Sequence, residues 1–462
     1  MNTLASAQNQ SIFFEELEKL KQSFSLEGKD DETQFYKKNS YLFATTSASL
    51  FRLLPQIPYS EHKSIFEKLL FKLQLLNLEE QNSQFFASHF EIIDSDNILQ
   101  KAQNGIPFLF CCFHLGSYSL LPVLFTYKDL DFGLLLNDTL NERKEKVFSK
   151  IHQKLCQEIE VDKKKSSNSK MQLINVEEKK GIWQALRVLK EGKSLIVYAD
   201  GNTGSNSSKK ESQNTTGINF LDESLCVRQG IAFLSYICNV PIVPVISSRV
   251  YEKGQCSLKR KFEFLPSIYP PNFENTTSTK NKISKEEFAT QTMQQLYSIL
   301  EKEITKNDKN SEQISEWEGW IFVNKFFKEL QKPISMATKK DFTTINTNLV
   351  DKEKAYYIFN EERFALIESK KNTLFDKFTY RFFPVSDLLY EIITYFSIPK
   401  KLYLSEQSNQ QVDKKTRTNS HAPISIHSDS TLIHSELQLS QTLISVSTLE
   451  KLIEKNILVK HS

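Results

Sequence analysis

The stretch Ile106–Phe125, IPFLFCCFHLGSYSLLPVLF, decides how the rest of the chain is read. Its first eight residues form the unbroken apolar run of a strand buried on both faces, HLGS interrupts it, and apolar residues at helical spacing follow. The stretch has the roughly 20-residue length of a membrane span. His114, Gly116, two Ser and two Pro argue against insertion and for a strand, a turn and a helix, with His114 at the strand end.

Outward from this stretch the pattern repeats. From Gly181, the residues Ile182, Ala185, Leu186 and Leu189 line a helical face before EGK turns the chain into the strand SLIVYAD, which ends on Asp200. Helix followed by strand is the signature of α/β layering. Residues 11–25 and 60–78 also read as amphipathic helices. The polar tract 201–216, GNTGSNSSKKESQNTT, reads as a surface loop, 225–237 as a helix, and PIVPVISS and LKRKFEFLP as strands. A helix is expected over 285–304, and Trp317 and Trp320 in EWEGWIFVNKFF are spaced to anchor one helix face.

These elements divide the chain into a helical extension over 1–34, an α/β domain over 35–335 with a central mixed sheet flanked by helices, and a smaller C-terminal α+β domain over 345–462. The last contains the strands AYYIF and FALIES, the helix DLLYEIITYF, a polar linker over 405–430 and the helix STLEKLIEKNIL, with Ser447 and Glu450 at capping-box spacing. Its arrangement is similar to a winged helix.

Composition bounds the function. The 462 residues include 34 Phe and 16 Tyr, which demand packed cores. The 59 Lys plus Arg against 56 Asp plus Glu leave a formal charge of +3, poor support for a nucleic-acid binder. Six Cys have neither disulfide-scaffold density nor zinc-site spacing, so a reducing compartment and no metal are expected. The first residues reach acidic, amphipathic sequence before any export-signal core, and cytoplasmic residence follows.

His114 is the sharpest candidate for chemistry, because an imidazole at the end of a buried strand titrates near neutrality and sits where a cleft forms. By itself it reads more readily as a structural or merely exposed histidine. Its company is more informative: HLGSYS after one strand, Asp200-Gly201 after another, and Arg228 and Gly230 before the strand entry NVPIVPV.

In this order the motifs over about residues 35–335 resemble the lysophospholipid acyltransferase superfamily, in particular its lipid A late-acyltransferase branch. His114 to Ser119 resemble that branch's His-Phe-Gly-Asn-Trp-Glu segment, Asp200-Gly201 its Asp-Gln segment, Arg228 and Gly230 its arginine-glycine segment, and Thr290 to Trp317 its closing glutamine and Trp region. The resemblance implies transfer of a fatty acyl group from acyl carrier protein phosphopantetheine or coenzyme A to a hydroxyl or amine of a lipid or peptide. His114 would be the general base, Gly116, Asp200, Arg228 and Gly230 would bind substrate, and backbone donors near Gly116 or Gly230 would assist the oxyanion. No tightly bound cofactor is implied.

Two departures stand out. The acid that follows the family's histidine falls on Ser119, which offers a hydrogen bond but no charge; Asp129 and Asp131 lie downstream. A clear N-terminal membrane anchor is absent and an extra domain follows residue 335, which points to a soluble or carrier-bound acceptor, with peripheral contact at the inner membrane and a protein partner for the C-terminal domain as further expectations. The alternative reading is a noncatalytic acyl-chain or carrier-protein binding protein built on the same fold.

Overall fold

The computed structural model describes residues 2–25, 29–87, 89–136, 171–176, 178, 180–201, 215–252, 255–271, 283–306, 311–327, 356–368, 372–401, 423–424 and 444–461. The chain forms two compact units: Met1–Glu32 with Arg52–Glu329, and Thr33–Phe51 with Leu330–Ser462. Residues 33–51, read from sequence across the extension and the α/β domain, therefore group with the C-terminal part.

The first unit is built on β1 (Phe90–Ile93), β2 (Leu109–Cys112), β3 (Phe132–Leu136), β4 (Met171–Asn175), β5 (Ser194–Tyr198), β6 (Thr215–Phe220), β7 (Glu223–Arg228), β8 (Ile242–Glu252) and β9 (Gln255–Phe264). Seven of these strands make one mixed sheet in the order β1-β9-β8-β2-β5-β3-β4. Strands β8, β2, β5, β3 and β4 run parallel, and β9 is antiparallel to β8. Helices flank the sheet.

The apolar run around Cys111 lies in the sheet centre because both of its faces are buried. Phe108, Phe110 and Cys112 point into a core shared with Phe125, Phe132, Ile196, Val243 and Phe262, and the helix Asn2–Ser23 adds Phe13 and Leu17 to it. Leu109, Cys111 and Phe113 are buried as well. Each buried Phe or Leu contributes about 1.5–3 kcal/mol, so this run stabilises the sheet strongly. The 20-residue stretch is split as its polar residues indicate, into β2, a 3-10 turn over Tyr118–Leu120 and the helix Leu121–Tyr127. Among the described residues no helix is long and apolar enough to cross a membrane.

Two sequence expectations change. Residues 225–237 are not one helix: β6 and β7 form a hairpin turning at Leu221 and Asp222, both at positive φ, and the helix begins only at Gly230. The signal was the alternation of buried Leu225 and Val227 with their less buried neighbours, a period of two that the apolar content of the segment obscured. Trp317 and Trp320 do not share an α-helical face. Trp317 is extended and pairs in a bridge with Leu115, and a 3-10 turn over Glu318–Ile321 follows. Gly319 permits this turn, since a Cβ there would collide with the Trp317 ring.

The C-terminal unit is a small α+β assembly. Tyr356–Phe359 pairs with Leu458–His461 and Lys400–Lys401, and Phe364–Ile367, Thr373–Asp376 and Arg381–Pro384 form a meander. The helices Asp387–Tyr395 and Val446–Glu454 supply Ile393 and Leu449 to its core. The Ser386 hydroxyl caps the first of them by accepting from the Leu389 N–H. The expected linker over 405–430, apart from 423–424, and the capping side chains of Ser447 and Glu450 lie outside the described residues.

Candidate functional site

The sheet topology selects the site. From β2 the chain crosses to β3 on one side of β5, whereas from β5 it departs to the other side, reaching β8 beyond β2. The carboxyl ends of β2 and β5 thus flank a topological switch point, where open α/β sheets form their ligand crevice. His114 follows the end of β2 and Asp200 the end of β5. The register fixes their meeting: Cys112 pairs with Tyr198, the Ala199 N–H donates to the Cys112 carbonyl at 2.8 Å, and two residues beyond the pair His114 faces Asp200.

The contact is intimate. His114 Nδ1 lies 2.9 Å from Asp200 Oδ1, and the His114 backbone N–H donates to both carboxylate oxygens at 3.1 and 3.0 Å. The Trp317 indole N–H donates to Asp200 Oδ2 at 2.8 Å. Asp200 is fully buried, whereas the His114 side chain keeps 17% of its surface exposed. A buried carboxylate ringed by donors on one side of a partly open imidazole is the arrangement that fixes a histidine tautomer.

The carboxylate beside the imidazole comes from residue 200. Ser119 lies in the 3-10 turn, almost fully buried, and its hydroxyl has no hydrogen-bond partner among the described residues. The bond to the imidazole that the motif comparison assigns to position 119 is made from residue 200 instead, which the same comparison places among substrate contacts. Asp129 and Asp131 precede β3 and lie at the opposite edge of the sheet.

Aromatic rings wall the imidazole, with centroids 4.8 Å away for Tyr118, 5.0 Å for Tyr198 and 5.6 Å for Phe322. Burial raises the Tyr118 hydroxyl well above its ordinary pKa, and the neighbouring Glu318, which accepts its hydrogen bond at 2.7 Å, raises it further. Burial likewise raises Tyr198, so both phenols stay protonated.

Gly116 is required by geometry. Its φ is +63°, and a Cβ would run into the Ser247 carbonyl oxygen of β8. Its N–H donates to the Glu316 carbonyl at 3.1 Å, and the Glu318 N–H donates to the His114 carbonyl at 2.9 Å. The Gly116 N–H is thus engaged in holding the segment 315–322 across the turn.

The same segment is clamped from its other side by a buried ionic network that sequence reading missed. Arg249 donates to Glu316 Oε2 at 2.6 Å and to Glu79 at 2.9 and 3.2 Å; Arg260 shares Glu79 at 2.9 Å. Lys72 reaches Glu316 at 3.0 Å, and the Tyr251 hydroxyl donates to it at 2.6 Å. Burial by itself pushes the Glu316 carboxyl up, but Arg249 and Lys72 outweigh it and bring the pKa down to about 2. No local motif marks these residues, which come from the helix Tyr59–Gln81, from β8 and β9, and from residues 312–316.

Arg228 and Gly230 belong to β7 and to the helix that follows it. Arg228 ends β7 opposite Thr215, and Gly230 opens the helix Gly230–Cys238, where a Cβ would meet nothing within 4 Å. Among the described residues no group of three or more His, Cys, Asp or Glu is disposed to hold a metal ion. The sequence matches no protein-family model and no curated protein.

Proposed function

We propose that the chain is an acyltransferase that moves a fatty acyl group from a carrier-protein or coenzyme A thioester to a hydroxyl or amine acceptor, with His114 as general base and Asp200 as its positioning acid. The observation that carries this reading is the bond from His114 Nδ1 to buried Asp200 at the switch point of the sheet. A proton on Nδ1 satisfies Asp200 and leaves the lone pair of the neutral ring on Nε2. Nε2 takes the acceptor's proton as its oxygen or nitrogen attacks the thioester carbonyl. The imidazolium forms beside Asp200, whose charge favours it in these poorly hydrated surroundings. Collapse of the tetrahedral intermediate breaks the C–S bond, and the thiolate leaves with the proton from Nε2, giving acylated acceptor and free thiol.

The motif order around His114, Asp200 and Trp317 supports the acyl-transfer class over other uses of a His-Asp pair. The noncatalytic alternative drew on the uncharged Ser119 and on the polar-linked C-terminal domain, and the carboxylate of Asp200 weakens the first of these motives. The test incubates the purified chain with acylated carrier and acyl-coenzyme A donors and a panel of hydroxyl and amine acceptors, reading products by mass spectrometry. Product that disappears in His114→Ala is the expected result. Thioester loss unchanged in that variant would rule out the base, and no thioester loss with any donor would rule out the activity.

A further inference from the structure

The edge of the sheet that carries His114 and Asp200 also carries an exposed apolar cluster. Val176 follows the end of β4, and Ile182 and Trp183 lie in the first turn of the helix Gly181–Lys190; they are 40, 49 and 70% exposed. Because β4 runs parallel to β5, its carboxyl end lies on the same edge as Asp200, displaced laterally by two strand spacings, about 10 Å. Single exposed apolar residues are ordinary on a protein surface, whereas three gathered on one rim, including a Trp, mark a binding face.

The opposite face of this helix is already used. Ala185, Val188 and Leu189 are buried, and the helix packs on β3, β4 and β5, so Trp183 is not displaced from a core position. Charge defines what the outer face fits. Lys180, Trp183, Arg187 and Lys190 recur at spacings of three and four, one stripe along the helix, and all four are exposed. Arg187 and Lys193 both engage Glu191, and Glu178 is also exposed. From residue 177 to 193 the sequence carries five cations against three carboxylates. Lys180 stands at the helix N-terminus, where the helix dipole favours an anion, so local helix stability does not explain it.

We infer that this rim docks on an anionic lipid surface, with Val176, Ile182 and Trp183 entering the interface and Lys180, Arg187 and Lys190 facing the headgroups. An amphipathic aromatic ring flanked by cations is suited to the boundary between acyl chains and headgroups. Docking there turns the edge that bears His114 toward the bilayer. The inference does not depend on acyl transfer, since lipid binding is measured without turnover.

The chain contains three Trp, and Trp317 and Trp320 are fully buried, so a change in Trp emission on lipid binding reports Trp183. The full chain is titrated with phosphatidylcholine vesicles with and without phosphatidylglycerol at low salt. A blue shift is expected with the anionic vesicles, weakened at high salt. Trp183→Ala removes the shift and lowers vesicle affinity in sedimentation about tenfold or more. Lys180→Glu combined with Arg187→Glu lowers it at least tenfold while Trp183 remains. No shift and no sedimentation with either vesicle would overturn the proposal. So would equal binding to both vesicle types, or a shift produced by an acidic carrier protein and not by vesicles.

Discussion

The Asp200 carboxylate is divided between two rings: Oδ1 lies 2.9 Å from the His114 imidazole nitrogen and Oδ2 accepts from the Trp317 indole at 2.8 Å. In the proposed mechanism Trp317 is a positioning residue that acts through Asp200. Trp317→Phe keeps an aromatic ring against Phe220 and Trp320, whose centroids lie 5.5 and 4.8 Å away, and deletes the N–H. A hydrogen bond to a charged group is worth about 1.5–3 kcal/mol, so acyl transfer is expected to fall roughly tenfold or more with unchanged circular dichroism. Restoration of the rate by Trp317→His, which brings back an N–H donor, would separate positioning from packing; full activity in Trp317→Phe would refute the role.

Asp200→Asn replaces an acceptor-only carboxylate with an amide that presents a donor to the imidazole and disturbs its tautomer. Turnover is expected to drop about 10²–10⁴-fold, measured as product formed per thioester consumed. Ser119→Asp, the change that would complete the family-like acid position, is expected not to raise turnover. It buries a carboxylate where the existing hydroxyl already lacks a partner, and a lower melting temperature should accompany it.

Gly116→Ala meets both a positive φ and the Ser247 carbonyl. The left-handed conformation costs about 1–2 kcal/mol in a residue with a Cβ, and the backbone collision adds to it. Urea denaturation followed by Trp emission should show a loss above about 2 kcal/mol. An unchanged midpoint would mean that the turn after His114 relaxes freely.

Glu316 links stability to pH. Its carboxyl is held down to about 2 in the folded chain against roughly 4.3 when unfolded, so the contribution is complete above about pH 4.5 and is lost as pH falls toward 2. Glu316→Gln should flatten that part of the stability-against-pH curve. At neutral pH the same variant leaves Arg249 and Lys72 short of a partner and should cost about 3–5 kcal/mol. Parallel acid profiles for wild type and variant would contradict this linkage.

Much of the α/β layering was legible because it is written in periodicity. The run before His114 reads as a buried strand, and Ala185 and Leu189 mark the inner face of a helix, since burial demands apolar residues at those intervals. The hairpin of β6 and β7 was obscured because Leu225 and Val227 run straight into the equally apolar helix that follows. The site was half legible: His114 and Asp200 each announce themselves at a strand end, but their contact depends on β2 pairing with β5, a nonlocal choice that no local pattern encodes. Glu316 and Arg249 carry no local signal, because the network exists only when the fold brings Glu79, Arg260 and Lys72 around them.

The bridge between Leu115 and Trp317 also sets an order of events in synthesis. A growing chain that has passed Asp200 holds both His114 and Asp200, but the segment that fixes the turn at Gly116 and donates to the second oxygen of Asp200 comes more than a hundred residues later. Strands β2 and β5 precede this segment in the chain, so the surroundings of His114 are complete only once Glu316–Glu318 has left the ribosome and paired across the turn.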